Sequence, residues 1–151
     1  VKKEKMPGIE PLIVGWEKEP YKMLRISHTG THPSHTDLTI EDSIDYYNMI
    51  GAERKESRLR FLQEYWTSKV RNVPRIIVNT PAESHRACGI ANVGIEGIKP
   101  GDLAKRLLDE HRVYTVAIDG ANVHGCRITP NLYTTTDELD QFVKALKTLA
   151  S

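Results

Sequence analysis

The chain has 151 residues, a length that predicts one compact domain. Its 39% apolar and 27% charged residues are typical of a soluble globular protein and exclude an intrinsically disordered chain. Lys and Arg number 21 and Asp and Glu number 20, so the net charge of +1 argues against nucleic acid or a membrane surface as the partner.

The first residues carry no recognisable targeting or membrane signal. The longest apolar run there, Pro11 to Trp16, is far shorter than the roughly 20 residues of a transmembrane helix. No apolar segment or small-residue cleavage site follows the basic start, so it does not resemble a signal peptide. We expect a cytoplasmic protein, with the compartment open because any targeting segment would precede Val1.

Residues 1–36 are predicted to form an irregular, extended arm. Proline and glycine punctuate this segment at Pro7, Gly8, Pro11, Gly15, Pro20, Gly30 and Pro33. Because these residues break regular structure at such short intervals, no helix or long strand is expected between them.

Two helices are predicted to follow the arm. The first has Thr39 as its N-cap and ends at Gly51, and the second runs from about Ala52 to Arg71, before Pro74. Apolar residues recur at helical spacing in both, at Ile40, Ile44 and Tyr47 and then at Leu59, Leu62, Trp66 and Val70.

From Arg75 onward the pattern alternates between strands and helices. Four runs rich in Val and Ile predict strands at residues 75–79, 88–95, 112–118 and 124–129. A crossover helix is predicted over Asp102 to His111, and a final helix opens with a capping box from Thr135 to Glu138. This order predicts an α+β fold, a small, mostly antiparallel sheet of about four strands with helices packed on one face.

The segment from Ser27 to Asp37 is the densest polar cluster and admits three interpretations. His28, His32, His35 and Asp37 are residue types that bind zinc. Alternatively, Gly30 lets an anion approach the backbone while neighbouring hydroxyl and amide groups donate hydrogen bonds to a phosphate. The third interpretation is a polar loop that caps the next helix.

Arg127 is the candidate binding residue of the second cluster, which runs from Gly125 to Thr135. It lies between Cys126 and Ile128 on a predicted strand, so its side chain projects to one face of the sheet. A guanidinium in a partly enclosed place favours a planar oxyanion such as a carboxylate. A structural ion pair with one of the chain's own acids is the alternative.

Other conspicuous side chains are predicted to be structural. Cys88 and Cys126 are expected to be buried free thiols, and Trp66 and Tyr133 to be packing residues. The self-contained catalytic signatures, such as a Walker loop or a nucleophile elbow, are missing from the sequence. We therefore assign no catalytic residue to this chain.

Taken in their order along the chain, the two clusters resemble the C-terminal part of class V aminotransferase-fold enzymes. These enzymes depend on pyridoxal phosphate (PLP) and include cysteine desulfurases and isopenicillin N epimerase-like proteins. The resemblance covers nearly the whole chain. The segments that carry it are Arg25 to Thr31, Gly89 to Val93, Gly125 to Tyr133 and Asp137 to Asp140.

The resemblance implies a role for three residues. Arg127 matches the arginine that binds the α-carboxylate of the substrate, and Gly30 and Thr31 match the pair that contacts the PLP phosphate across a dimer interface. It implies the small domain of a fold-type I PLP enzyme over residues 37–151, with residues 1–36 as the tail of a large cofactor-binding domain.

The resemblance also implies what lies elsewhere in the parent protein. The Schiff-base lysine lies upstream of the Gly-Thr pair in this family, so the expected partners are a large PLP-binding domain in cis, the second subunit of a homodimer and an amino-acid substrate. We expect this chain alone to be inactive. The alternative is a free-standing α+β module that binds or senses a small carboxylate through Arg127.

Overall fold

The computed structural model describes residues 2–12, 17–27 and 34–151. The chain divides into two compact units, Val1–Tyr46 and Tyr47–Ser151. The assignment of residues 1–36 to one domain and residues 37–151 to another stays a prediction.

The first unit is more helical than its sequence predicts. A 3-10 helix spans Lys3–Gly8, helix α1 spans Met23–Ser27, and helix α2, which spans Ser34–Ile50, begins here. The Arg25 guanidinium donates hydrogen bonds to the carbonyl oxygens of Met6 at 2.9 Å and Ile9 at 2.6 Å. The expectation of an arm without helices is therefore wrong, because a long-range side-chain contact stabilises turns that local propensity does not predict.

Helix α2 begins five residues before the predicted N-cap at Thr39. The Thr39 hydroxyl donates a hydrogen bond to the carbonyl oxygen of Thr36 within the helix, at 2.9 Å. A threonine that bonds to the preceding turn is compatible with the helix interior, and this is why it does not mark the boundary.

Among its described residues the second unit contains the end of α2, three further α-helices, a 3-10 helix (Ser84–Arg86) and four strands. The helices are α3 (Ala52–Ser68), α4 (Pro100–His111) and α5 (Thr136–Ala150). The strands are β1 (Ile76–Val78), β2 (Ala91–Ile95), β3 (Val116–Gly120) and β4 (Val123–Ile128). None of the helices in the described part of the chain is long and apolar enough to cross a membrane.

The four strands form one antiparallel sheet in the order β1-β2-β4-β3. Helix α4 carries the chain from β2 past the position of β4 to the edge strand β3, and a hairpin then returns it to fill the gap. The predicted α+β fold with a small antiparallel sheet of four strands is confirmed.

One face of the sheet packs against the helices. The core contains Trp66 and Leu62 from α3, Leu103 and Leu107 from α4 and Leu146 from α5, all fully buried. Trp66 meets Phe142 edge to face at 5.2 Å between ring centroids. Trp66 is thus a packing residue, as predicted.

The capping box of α5 forms as predicted. The Thr135 hydroxyl accepts a hydrogen bond from the Glu138 amide at 3.2 Å, and the Glu138 carboxylate accepts one from the Thr135 amide at 2.7 Å.

Thr135→Ala should lower the free energy of unfolding by about 1 kcal/mol, measured by urea denaturation. The control is Thr136→Ala at the first helical position, which should change it by less than about 0.5 kcal/mol.

Candidate functional site

Strand β4 presents Arg127 on the sheet face opposite the helices of the second unit. Its neighbours Cys126 and Ile128 are buried in the core, whereas Arg127 is exposed. Arg127 and its two neighbours thus alternate between the faces of the sheet, as side chains on a strand do. Across the ladders Arg127 is paired with Asn92 on β2 and with Val116 on β3.

An amide network lies beside Arg127 on the same face. The Asn79 side-chain amide donates hydrogen bonds to Asn92 Oδ1 at 2.7 Å and to the carbonyl oxygen of His124 at 3.0 Å. Because the His124 carbonyl oxygen can only accept, the atom of Asn79 that contacts it must be the donor nitrogen. The same nitrogen contacts Asn92, so the Asn92 atom that faces it must be the acceptor oxygen. Asn92 Nδ2 is buried and has no hydrogen-bond partner in the described parts of the chain.

Two glycines allow β2 and β4 to approach closely beneath this network. A Cβ atom on Gly125 would lie 2.5 Å from Asn92 Oδ1 and 2.5 Å from the carbonyl oxygen of Val93. One on Gly94 would lie 2.8 Å from the carbonyl oxygen of His124. The close approach of the two strands at this point therefore requires glycine at both positions.

The Arg127 guanidinium has neither a hydrogen bond nor an ion pair within residues 2–12, 17–27 and 34–151. The alternative interpretation, an ion pair with one of the chain's own acids, finds no partner in these ranges. An unpaired arginine remains available for an oxyanion from outside the chain.

A cavity of about 390 Å³ adjoins Arg127, between the ends of α4 and β4 and the start of α5. Val113, Val116 and Phe142 provide apolar wall. Tyr133 also lines the cavity, and 81% of its side chain is exposed. The prediction that Tyr133 is a packing residue is therefore wrong, because it lies in an exposed turn after the end of β4.

The two cysteines differ in burial. Cys126 is fully buried on the core face, where desolvation raises the pKa of its thiol, and Cys88 is only partly buried. The expectation of two buried free thiols is thus correct for Cys126 and only partly correct for Cys88. A buried thiol of raised pKa, on the face opposite Arg127, is not suited to act as a nucleophile towards a ligand there.

Gly30 and Thr31, the two residues to which the resemblance gives the phosphate contact, lie outside the described residues. The same holds for His28 and His32 of the zinc interpretation, while His35 lies in α2. Within the described ranges, no three residues of the His, Cys, Asp or Glu type lie together as a metal site would require.

Sequence reasoning missed Arg112 and Asn92. Residue 112 was predicted to begin a strand, but it ends α4 in the left-handed conformation with φ of 60°, and the strand begins only at Val116. Arg112 lines the same cavity as Arg127. The neighbourhood of each residue depends on strand order, for which a single sequence carries no local signal.

Comparisons with known proteins match the chain to one family model and to several solved structures. The sequence model of the family described as aminotransferase class-V matches residues 14–142. A search of curated proteins gives no match.

Solved structures share the fold at low sequence identity. The apo structure of cysteine desulfurase from Thermococcus onnurineus NA1 has a TM-score of 0.79 at 19% identity and covers 99% of this chain and 42% of its own. Cysteine desulfurase CsdA from Escherichia coli has a TM-score of 0.73 at 14% identity, and the match covers 97% of this chain and 40% of that protein. Alanine–glyoxylate aminotransferase from Nostoc sp. has a TM-score of 0.64 at 17% identity, and the match covers 87% of this chain and 35% of that protein. The chain thus spans about two fifths of the length of these proteins.

Proposed function

This chain belongs to the class V aminotransferase family, and we propose that it is the C-terminal, substrate-binding part of a PLP-dependent enzyme that acts on an amino acid. The reaction would be of the transaminase, epimerase or desulfurase type. The observation that carries the proposal is Arg127, an exposed residue that lines a cavity of about 390 Å³ and whose guanidinium is unpaired within the described residues.

Arg127 would bind the α-carboxylate of the substrate. A guanidinium donates two parallel hydrogen bonds to a carboxylate, so it fixes the orientation of the group as well as its position. Since β4 lies between β2 and β3, ladders on both sides hold the backbone of Arg127. A rigid strand places the charge with little loss of entropy on binding.

The cavity residues fit the substrate rather than the cofactor. PLP requires a lysine for attachment, an acid opposite its ring nitrogen and a group of donors around its phosphate. The described residues that line the cavity include no lysine, and their one acid, Glu138, already accepts hydrogen bonds from Thr135. We therefore assign to these residues only steps that concern the carboxylate of the substrate.

The cofactor contact in this chain would come from Gly30 and Thr31, as the family resemblance implies. A glycine permits close approach of the backbone to a phosphate, and a threonine supplies a hydroxyl donor. The phosphate would belong to the PLP of the second subunit of a homodimer.

The remaining parts of the active site would lie in a large PLP-binding domain in cis, to which residues 1–36 would belong. The length of the related structures supports this, since the chain spans about two fifths of them. Helix α2 supports it too, because its apolar side chains are exposed: Leu38 by 70%, Ile40 by 58%, Ile44 by 54% and Met49 by 78%. Large apolar side chains exposed on a helix are suited to packing against further protein.

Exchange of the α-hydrogen tests the proposed activity. All three reaction types remove the proton on the α-carbon of the substrate, so the full-length protein with PLP should exchange this proton for deuterium in D₂O, measured by NMR on a panel of amino acids. The 151-residue chain with added PLP should not. The absence of exchange by the full-length protein on every amino acid, or exchange by the short chain, would contradict the proposal.

The alternative function, a free-standing module that binds a small carboxylate, uses the same arginine. It predicts carboxylate binding by the 151-residue chain and no exchange under any condition. The deuterium experiment therefore separates the two functions.

A further inference from the structure

Two arginines line the cavity, one more than a single carboxylate requires. Arg112 follows the last turn of α4, and Arg127 lies on β4. Both residues are exposed, and neither guanidinium has a hydrogen-bond or ion-pair partner in the part of the chain that the structure describes. Each is therefore available to an anionic group in the cavity.

The backbone holds Arg112 in place although its conformation is unfavourable for arginine. Its φ is 60°, in the left-handed region that glycine usually occupies at the end of a helix. Its amide donates a hydrogen bond to the carbonyl oxygen of Leu108 at 3.0 Å, and the amide of Val113 donates one to Leu107 at 2.9 Å. The backbone conformation alone favours glycine or asparagine here, whereas a positive charge at a helix C-terminus is favourable.

The charge of the cavity favours anions. Glu138 is the one acidic residue among the described lining residues, and its carboxylate accepts hydrogen bonds from the Thr135 amide at 2.7 Å and hydroxyl at 3.0 Å. These hydrogen bonds lower its pKa, so it is ionised at neutral pH and already paired with donors. The described lining residues thus include two arginines without an ion-pair partner and one carboxylate that is already hydrogen-bonded.

We infer that the cavity binds a dicarboxylate, an α-amino or α-oxo acid whose side chain ends in a second carboxylate. Arg127 binds the α-carboxylate and Arg112 binds the distal one. This inference rests on the role proposed above for Arg127. The volume of about 390 Å³ lies within the range of small-molecule sites, roughly 300–1,000 Å³.

Two unreactive acids test the inference by calorimetry on the full-length protein. Glutarate carries two carboxylates and butyrate carries one on a chain of similar length. The unmodified protein should bind glutarate at least about tenfold more tightly, since a second charge-assisted contact contributes roughly a factor of ten to a hundred. Arg112→Gln should remove this preference and leave the affinity for butyrate within about twofold.

The control is Arg106→Gln on α4, which removes an exposed arginine that bonds to Glu110 and is not among the residues that line the cavity. It should leave both affinities unchanged. The inference is overturned if the unmodified protein shows no preference for glutarate, if Arg112→Gln keeps the preference, or if Arg106→Gln reduces it equally. Arg127→Lys should weaken the binding of both acids. If it weakens the binding of neither, the proposed role of Arg127 is wrong.

Discussion

Arg127→Lys in the full-length protein should weaken the binding of amino acids roughly ten- to a hundredfold. A lysine ammonium is a point charge on a flexible chain and cannot donate the two parallel hydrogen bonds that a guanidinium gives to a carboxylate. Losing one charge-assisted interaction costs about 1.5–3 kcal/mol, which corresponds to that change in affinity. The measurement is the dissociation constant of an amino acid, by calorimetry.

The affinity for PLP separates this role from a structural one. Arg127 is proposed to contact the substrate and not the cofactor, so the dissociation constant of PLP should stay within about threefold of its original value. An equal loss of affinity for PLP and amino acid would point to a disturbed fold. Unchanged affinity for every amino acid tested would mean that Arg127 does not bind the substrate.

Gly125→Ala should lower the free energy of unfolding by about 1–3 kcal/mol or more, measured by chemical denaturation. The added methyl group would meet Asn92 Oδ1 and the carbonyl oxygen of Val93, each at 2.5 Å. One of these atoms is backbone, so β2 and β4 must separate or the strand must bend. The same change should weaken carboxylate binding, because Arg127 lies two residues further along the strand.

Gly120→Ala in the same hairpin is the matched control. Nothing lies within 4 Å of the added carbon, and the position does not require a positive φ. The substitution should leave stability unchanged or raise it by about 0.4–1 kcal/mol, because alanine restricts the unfolded chain. If both variants lost the same stability, close approach of the strands would not be the reason for glycine at position 125.

The elements that could be predicted from the sequence are those with local signals. The capping box from Thr135 to Glu138 forms because both partners lie within four residues of each other. The start of β3 was misplaced because the left-handed end of α4 at Arg112 has no glycine to mark it. The turns of the first unit were missed because Arg25 stabilises them through contacts made far along the chain.

The candidate site was predictable in part for a related reason. The exposed face of Arg127 follows from its buried neighbours Cys126 and Ile128, which the alternation of a strand reveals. The cavity does not follow from any such pattern, since the end of α4, the turn at Tyr133 and the start of α5 meet only in the folded chain. The second arginine, Arg112, was missed for that reason.

A crystal structure of the full-length protein with bound butyrate would show whether Arg127 binds the carboxylate of a substrate. Butyrate has a carboxylate like that of a substrate but no reactive amine, so its binding depends on the carboxylate contact alone. We expect two hydrogen bonds of about 2.7–2.9 Å between the butyrate carboxylate and the Arg127 guanidinium. A structure in which Arg127 is instead ion-paired with a carboxylate of the protein, and butyrate binds elsewhere, would contradict it.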